Sequence, residues 1–275
     1  PKLSKKQLQK VVAVLIKGPQ AQGYATQLWT LERIAKVIKK TTKESYHVGH
    51  VWKILRDLNW TAQKPETRAR ERNEQKINHW VRREFPRIQK KGLRTGSLLG
   101  FLDETGFSDR PTVRRTWSRR GKTPVIRAAG GWKNRTVIGT IIASPRGGRP
   151  RFFGAIRPAA VRSPDIIRYL QDLKRHLRGR KLILFWDGLR AHTSRATSAY
   201  VRSERHWLRT ERTPTYAPEV NPAEYGWASM KTKDLANTAP ETLLELDRRI
   251  RGSIRRLGRS PRLLKGCLKA SGLFS

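Results

Sequence analysis

LLGFLDETGF, residues 98–107, decides how this chain folds: an apolar run of strand character arrives at an acid, Asp103. The pattern recurs at residues 181–188, KLILFWDG, where the run ends at Asp187. Between the two lie two more strand-like runs, TVIGTIIAS (136–144) and RFFGAI (151–156). A helix from about Pro164 to Arg178 follows them, with Ile166, Ile167, Leu170, Leu173 and Leu177 on one side. The order is strand, strand, strand, helix, strand, and then a helix that begins near Asn221. Strands joined through a helical crossover are expected to run parallel, with their C-terminal ends at one edge of the sheet. In open sheets, ligands bind at that edge.

Asp103 and Asp187 therefore converge if their strands are neighbours, and Glu224, in PEVNPAEYGW (218–227), supplies a third wall. Three adjacent carboxylates raise one another's pKa, and a divalent cation relieves that repulsion. Oxygen-only ligation favours Mg²⁺ or Mn²⁺ over zinc. Two such ions, roughly 3.5–4 Å apart, would activate a water or a 3′-hydroxyl and stabilise the leaving oxygen of a phosphodiester. Each acid also has a plainer reading. Asp is a common turn former, and Asn221-Pro222-Ala223-Glu224 reads as N-cap, Pro at the first helical position and capping-box acid. The conjunction of all three favours the metal site. Glu104 is expected on the opposite face from Asp103 and ranks below it, and Trp227 reads as core packing.

The charge names the partner class. The 275 residues include 60 Lys+Arg against 21 Asp+Glu, a formal charge of +39. Such an excess repels itself unless something anionic is bound, and nucleic acid is the expected partner. Both parts of the chain share the excess, with 23 basic and 7 acidic residues in 1–95 and 37 and 14 in 96–275. Nine Trp and 37% hydrophobic residues imply a packed core. The single cysteine, Cys267, excludes an internal disulfide and a Cys-rich zinc site and points to a reducing compartment. No segment reaches the ~18 apolar residues that a membrane span requires.

The first 60 residues repeat a helical apolar stripe three times: Leu8, Val11, Val12, Leu15; Leu31, Ile34, Ala35, Ile38; Val48, Val51, Trp52, Leu55. Thr30 is the expected N-cap of the second helix and Ser45 of the third, with TTKES as the turn. This layout fits a helix-turn-helix, residues 1–65, whose third helix presents His47, Gly49, His50, Lys53 and Arg56 to a major groove. A basic strip from Thr61 to Arg70, including Lys64, would form a wing on the phosphates. Residues 66–95 read as a basic linker helix ending near Pro86, and 96–275 as the catalytic domain.

Three blocks resemble the DDE transposases of the mariner superfamily, in their bacterial branch, the insertion sequence 630 family: FLDETGFSDRPTVRRTWSRRGKTP (101–124), FWDGLRAHTS (185–194) and YAPEVNPAEYGWASMK (216–231). WTLERIAKVI (29–38) and HVWKILRDLNWTAQKPE (50–66) resemble that family's winged helix-turn-helix, specifically the second of two serial units. The resemblance implies an α/β catalytic domain with an RNase H-like mixed sheet and flanking helices, preceded by an all-α winged helix-turn-helix. It implies a transposase that cuts double-stranded DNA at terminal inverted repeats and joins the 3′-ends to a TA target. Asp103, Asp187 and Glu224 would hold the metals, with His192 and Asn221 orienting groups around them. It further implies a homodimer on DNA and a cytoplasmic, nucleoid-associated bacterial protein. The competing readings are a catalytically silent DNA-binding repressor or truncated remnant, and a structure-specific nuclease on the same scaffold.

Overall fold

Helix caps set the N-terminal unit. In the computed structural model, which describes residues 3–65, 67–128, 130, 132–158 and 160–274, α1 (Lys5–Ile16) opens on a closed capping box. The Gln7 N–H donates to Ser4 Oγ and the Ser4 N–H to Gln7 Oε1. Helix α2 (Leu31–Thr42) is capped by Thr30, which accepts from the Arg33 N–H at 3.2 Å, as expected. The cap of α3 (Val48–Asp57) is His47 rather than Ser45: its Nδ1 accepts from the Gly49 N–H at 3.2 Å. Helix α2 absorbs the first two residues of TTKES and ends at Lys43 in the left-handed region, φ 66°. Val11, Leu15, Ile34, Val37, Ile38 and Val51 form the core of this unit, residues 1–67. Trp52, expected on the core stripe, is instead 51% exposed, and the Arg56 guanidinium lies 4.9 Å over its ring. One residue on from Val51 is a rotation of about 100°, which carries Trp52 off the buried stripe. The strip at 61–70 contains no strand among its described residues; it lacks the alternating apolar positions that would pair one.

The second unit spans residues 68–275. It begins with α4 (Glu74–His79), a π-helical turn over Trp80–Glu84 and α5 (Phe85–Thr95). The helical path thus continues past Pro86, where an end was expected. Pro86 sits at the start of α5, directly after the wider turn, where its missing N–H is tolerated. Phe85 and Ile88 are buried in this unit's core, so the stretch read as a linker is packed structure from there on.

The sheet has five strands in the order β3-β2-β1-β4-β5: β1 (Leu98–Ser108), β2 (Asn134–Ala143), β3 (Arg151–Arg157), β4 (Leu182–Trp186) and β5 (Leu208–Arg212). Strand β2 lies antiparallel to both β1 and β3, while β4 is parallel to β1 and to β5. The parallel β1–β4 pair meets the condition, left open by the order of elements, that these two strands be neighbours. Strand β5, LRTER, was not anticipated; it is a charged edge strand with little apolar signal. Period two divides β1 between two cores. Leu99 and Phe101 pack with Ile141, Phe185 and Trp227 on one face, Leu98 and Leu102 with Ile138, Tyr169, Leu184 and Trp186 on the other. Helices α6 (Ser163–His176), α7 (Arg190–Thr193) and α8 (Arg195–Ser203) precede β5. After it come α9 (Pro222–Ser229), α10 (Leu243–Arg259) and α11 (Pro261–Ala270). Among the described residues no helix is long and apolar enough to cross a membrane.

Candidate active site

Backbone register brings the two aspartates level. Phe101 pairs with Phe185 across β1 and β4, and the same register carried two residues further sets Asp103 beside Asp187. The two differ in setting. Asp187 follows the last residue of β4, as expected, whereas Asp103 lies inside β1, which continues to Ser108 against β2.

Asp103 shares its face with α9. Opposite it in β2 stands Gly139, where a Cβ would come within 2.3 Å of Trp227 Cη2 and 2.8 Å of Phe152 Cζ. Only glycine leaves room for the indole to cross β2 and donate from Nε1 to Asp103 Oδ2 at 2.8 Å. Trp227 is therefore both core and site, a role that packing periodicity alone does not reveal. Burial pushes the Asp103 carboxyl up to about 7, and the charges of Glu224, Glu104 and Asp187 add to the rise against the Trp227 bond.

Glu224 occupies the third position of α9. The helix is capped by Asn221, whose Oδ1 accepts from the Ala223 N–H at 3.1 Å. The Asn221 N–H donates to the Pro218 carbonyl at 2.9 Å, so the reciprocal half of a capping box does not form and Glu224 does not serve as that cap. Its carboxyl is raised by burial, opposed by the Lys231 charge. Asn221 Nδ2 also reaches the Leu102 carbonyl at 3.4 Å, tying the start of α9 to the backbone beside Asp103. Lys231 donates to Thr105 Oγ1 at 2.6 Å. It is the last residue of the third block, to which the sequence reading assigned no role.

On the other face, His192 is buried between two acids. Its Nδ1 lies 2.8 Å from Asp187 Oδ1 and its Nε2 2.8 Å from Glu104 Oε1. The ring stacks on Trp186 with centroids 4.7 Å apart and planes 7° apart. Burial alone would lower the imidazole pKa, yet the two carboxylates raise it to about 9. Burial likewise works to raise Asp187, but the bonds from His192 and the Leu189 N–H hold it below the usual carboxylate range. Glu104 points away from Asp103, as strand alternation requires, and still joins the site through this histidine.

Asp103, Asp187, Glu224, His192 and Asn221 thus gather at one sheet edge. No three His, Cys, Asp or Glu side chains among the described residues close into a finished metal cage. The donor set is all oxygen, with Asp103 and Asp187 half-buried, Glu224 exposed and the charges of Glu224 and Asp187 acting on Asp103, which fits a hard divalent cation. The residues expected to touch DNA belong to the N-terminal unit. His47, His50, Lys53 and Arg56 are exposed on α3 or at its start, and Lys64 is exposed in the irregular segment beyond it. His50 stacks on Tyr46 at 5.0 Å.

The family described as DDE superfamily endonuclease matches residues 99–247, and that described as winged helix-turn helix matches 25–84. Among solved structures, the Mos1 mariner paired-end complex with Mn is similar with a TM-score of 0.64 and 15% identity, over 99% of this chain and 80% of that one. The Mos1 transposase paired-end complex with left transposon end is similar at 0.60 and 16% identity, over 100% and 81%. At such identities the likeness is one of fold, and it agrees with the expected mixed sheet with flanking helices behind a helix-turn-helix. No curated protein matches the chain. The endonuclease match spans more than half of the chain and contains both aspartates, the glutamate and every strand of the sheet except the first residue of β1: the chain belongs to the DDE superfamily endonucleases.

Proposed function

We propose that the protein is a transposase that binds the inverted repeats ending its own mobile element, cleaves there, and transfers the 3′-ends to a TA target. The observation that carries this reading is the approach of Asp103, inside β1 where its pairing with β4 ends, to Asp187 just past β4 and Glu224 of α9, with Asp103 feeling the charge of both other acids. Asp103, Asp187 and Glu224 would hold Mg²⁺ or Mn²⁺, in our reading two ions, which supply charge neutralisation and an activated oxygen nucleophile for phosphoryl transfer. Around them, the Trp227 N–H holds Asp103 Oδ2 and the His192 ring holds Asp187 Oδ1, each fixing one oxygen and leaving the other for ligation. Asn221 sets the start of the helix that carries Glu224. Helix α3, with His47, His50, Lys53 and Arg56, would enter the major groove, Lys64 would meet phosphate, and two copies would act together on paired ends. The Mn and paired-end complexes of the similar Mos1 transposase support the metal and DNA parts of this reading.

The test is cleavage of labelled duplex carrying the element's terminal repeats, in Mn²⁺, by the parent, Asp187→Asn and Glu224→Gln. The parent is expected to cut and both variants to bind the duplex equally well without cutting. A Glu224→Gln variant that cuts at the parent rate removes Glu224 from the ligand set, and a parent that retains no terminal-repeat duplex removes the recognition part.

A further inference from the structure

Glu104 stands outside the proposed ligand set, yet its placement is hard to explain by stability. Its side chain is 9% exposed, Oε1 meets His192 Nε2 at 2.8 Å, and Oε2 is buried with no hydrogen-bond partner. A buried carboxylate oxygen without a donor is costly, and an apolar residue would serve the core at least as well. What the carboxylate does provide is an anchor for His192. The imidazole, 1% exposed, is clamped in three directions: against Trp186 by stacking, at Nε2 by Glu104 and at Nδ1 by Asp187. Asp187 Oδ1 takes both the His192 ring nitrogen and the Leu189 N–H, the latter at 3.0 Å. The oxygen outside that clamp is Oδ2.

We propose that Glu104 is a positioning residue: through His192 it fixes the rotamer of Asp187, so that Oδ2 is the oxygen presented to a divalent cation at the sheet edge. This rests on the metal-dependent reading above. Glu104 does not touch the cation. Without it Nε2 loses its anchor, the ring is free to turn on Trp186, and Asp187 samples orientations in which neither oxygen is held for ligation. Groups one step removed from a metal commonly act this way, and their loss lowers metal affinity by about 10–100-fold.

The experiment is titration of Mn²⁺ into the full chain without DNA, with free Mn²⁺ read by electron paramagnetic resonance, for the parent and for Glu104→Ala, Glu104→Gln, His192→Gln, Glu104→Ala/His192→Gln and Asp187→Asn. Glu104→Ala is expected to bind Mn²⁺ about 10–100-fold more weakly. Glu104→Gln, whose amide oxygen still accepts from Nε2, is expected to recover most of that loss, and it carries the test if the alanine variant does not fold. The double variant is expected to be no worse than His192→Gln alone, because Glu104 acts only through the histidine. At saturating Mn²⁺ the cleavage rate of Glu104→Ala is expected to return to near the parent's, the defect lying in the concentration of metal required. Parent affinity in Glu104→Ala, equal loss in Glu104→Gln and Glu104→Ala, or additive losses in the double variant would each overturn the proposal. Asp187→Asn separates the two levels: if it too binds Mn²⁺ like the parent, the metal reading has failed. If it alone loses binding, only the positioning role has.

Discussion

One edge of the sheet treats two like acids in opposite ways. On the α9 face Asp103 meets one neutral donor, the Trp227 indole, and a second acid, and its carboxyl rises to about 7. Asp187 meets a histidine of α7 and a backbone N–H and stays below the usual range. Both belong to the same edge of the same sheet. The two differ in both depth and partners: burial opposes ionisation at each site and dominates at Asp103, whereas the less buried Asp187 has the His192 ring and a backbone N–H to reverse it. Near neutral pH one acid of the pair is therefore poised to release its proton to solvent when a cation binds, while the other is already ionised.

The contrast has a signature in stability. Asp103 is raised from 3.8 to about 7, so its contribution is fully present below pH ~4 and is lost as pH rises through about 7. Asp187, being depressed, does the reverse: its contribution is present above its ordinary value and is lost as pH falls. Asp103→Asn should accordingly melt with a weaker pH dependence than the parent between pH 5 and 8, the divergence amounting to at most about 3 kcal/mol. Mn²⁺ added at pH 8 should restore the parent's melting temperature more than the variant's. Identical pH slopes in the two proteins would break the comparison. Next in size, Trp227→Phe keeps an aromatic ring of smaller size and removes the Nε1 donor, a bond to a charged group worth about 1.5–3 kcal/mol. Its pH–rate profile for cleavage is expected to shift upward, because the bond holds the Asp103 pKa down; a profile that stays in place would show that the indole acts by packing alone. Gly139→Ala forces a Cβ against Trp227 and Phe152, and calorimetry should register a loss of about 1–3 kcal/mol. The same variant should show the Trp227→Phe shift in milder form, since displacing the indole stretches the same bond. The smallest effect lies in the other unit. Lys53→Ala should reduce the salt slope of DNA binding by about 1 and leave the melting of the sheet unchanged; a loss of cleavage at saturating DNA would contradict the division of labour.

Strand alternation and the apolar runs were enough to place four of the five strands and the parallel sense of those joined through the helix, while the adjacency of β1 and β4 stayed a condition that the fold meets. These are properties of neighbouring residues, and local chemistry reports them. Strand β5 escaped because LRTER carries its pairing in backbone groups and shows almost no apolar side chains. Trp52 and the cap at His47 were misread because three apolar stripes fit a helix face in more than one rotation, and packing against α1 and α2 selects among them. The capping-box reading of Glu224 fails because the Asn221 N–H donates to the Pro218 carbonyl, a contact that the residue pattern does not reveal.

By itself, the amino-acid sequence determined the element order, the family blocks and the candidate acids, because period and residue type survive without three dimensions. Only the tertiary structure decided what those acids face. Trp227 comes to Asp103 from 124 positions away and Glu104 to His192 from 88. A carboxylate's charge depends on the donors and charges within a few ångströms of it, and which residues those are is settled by folding.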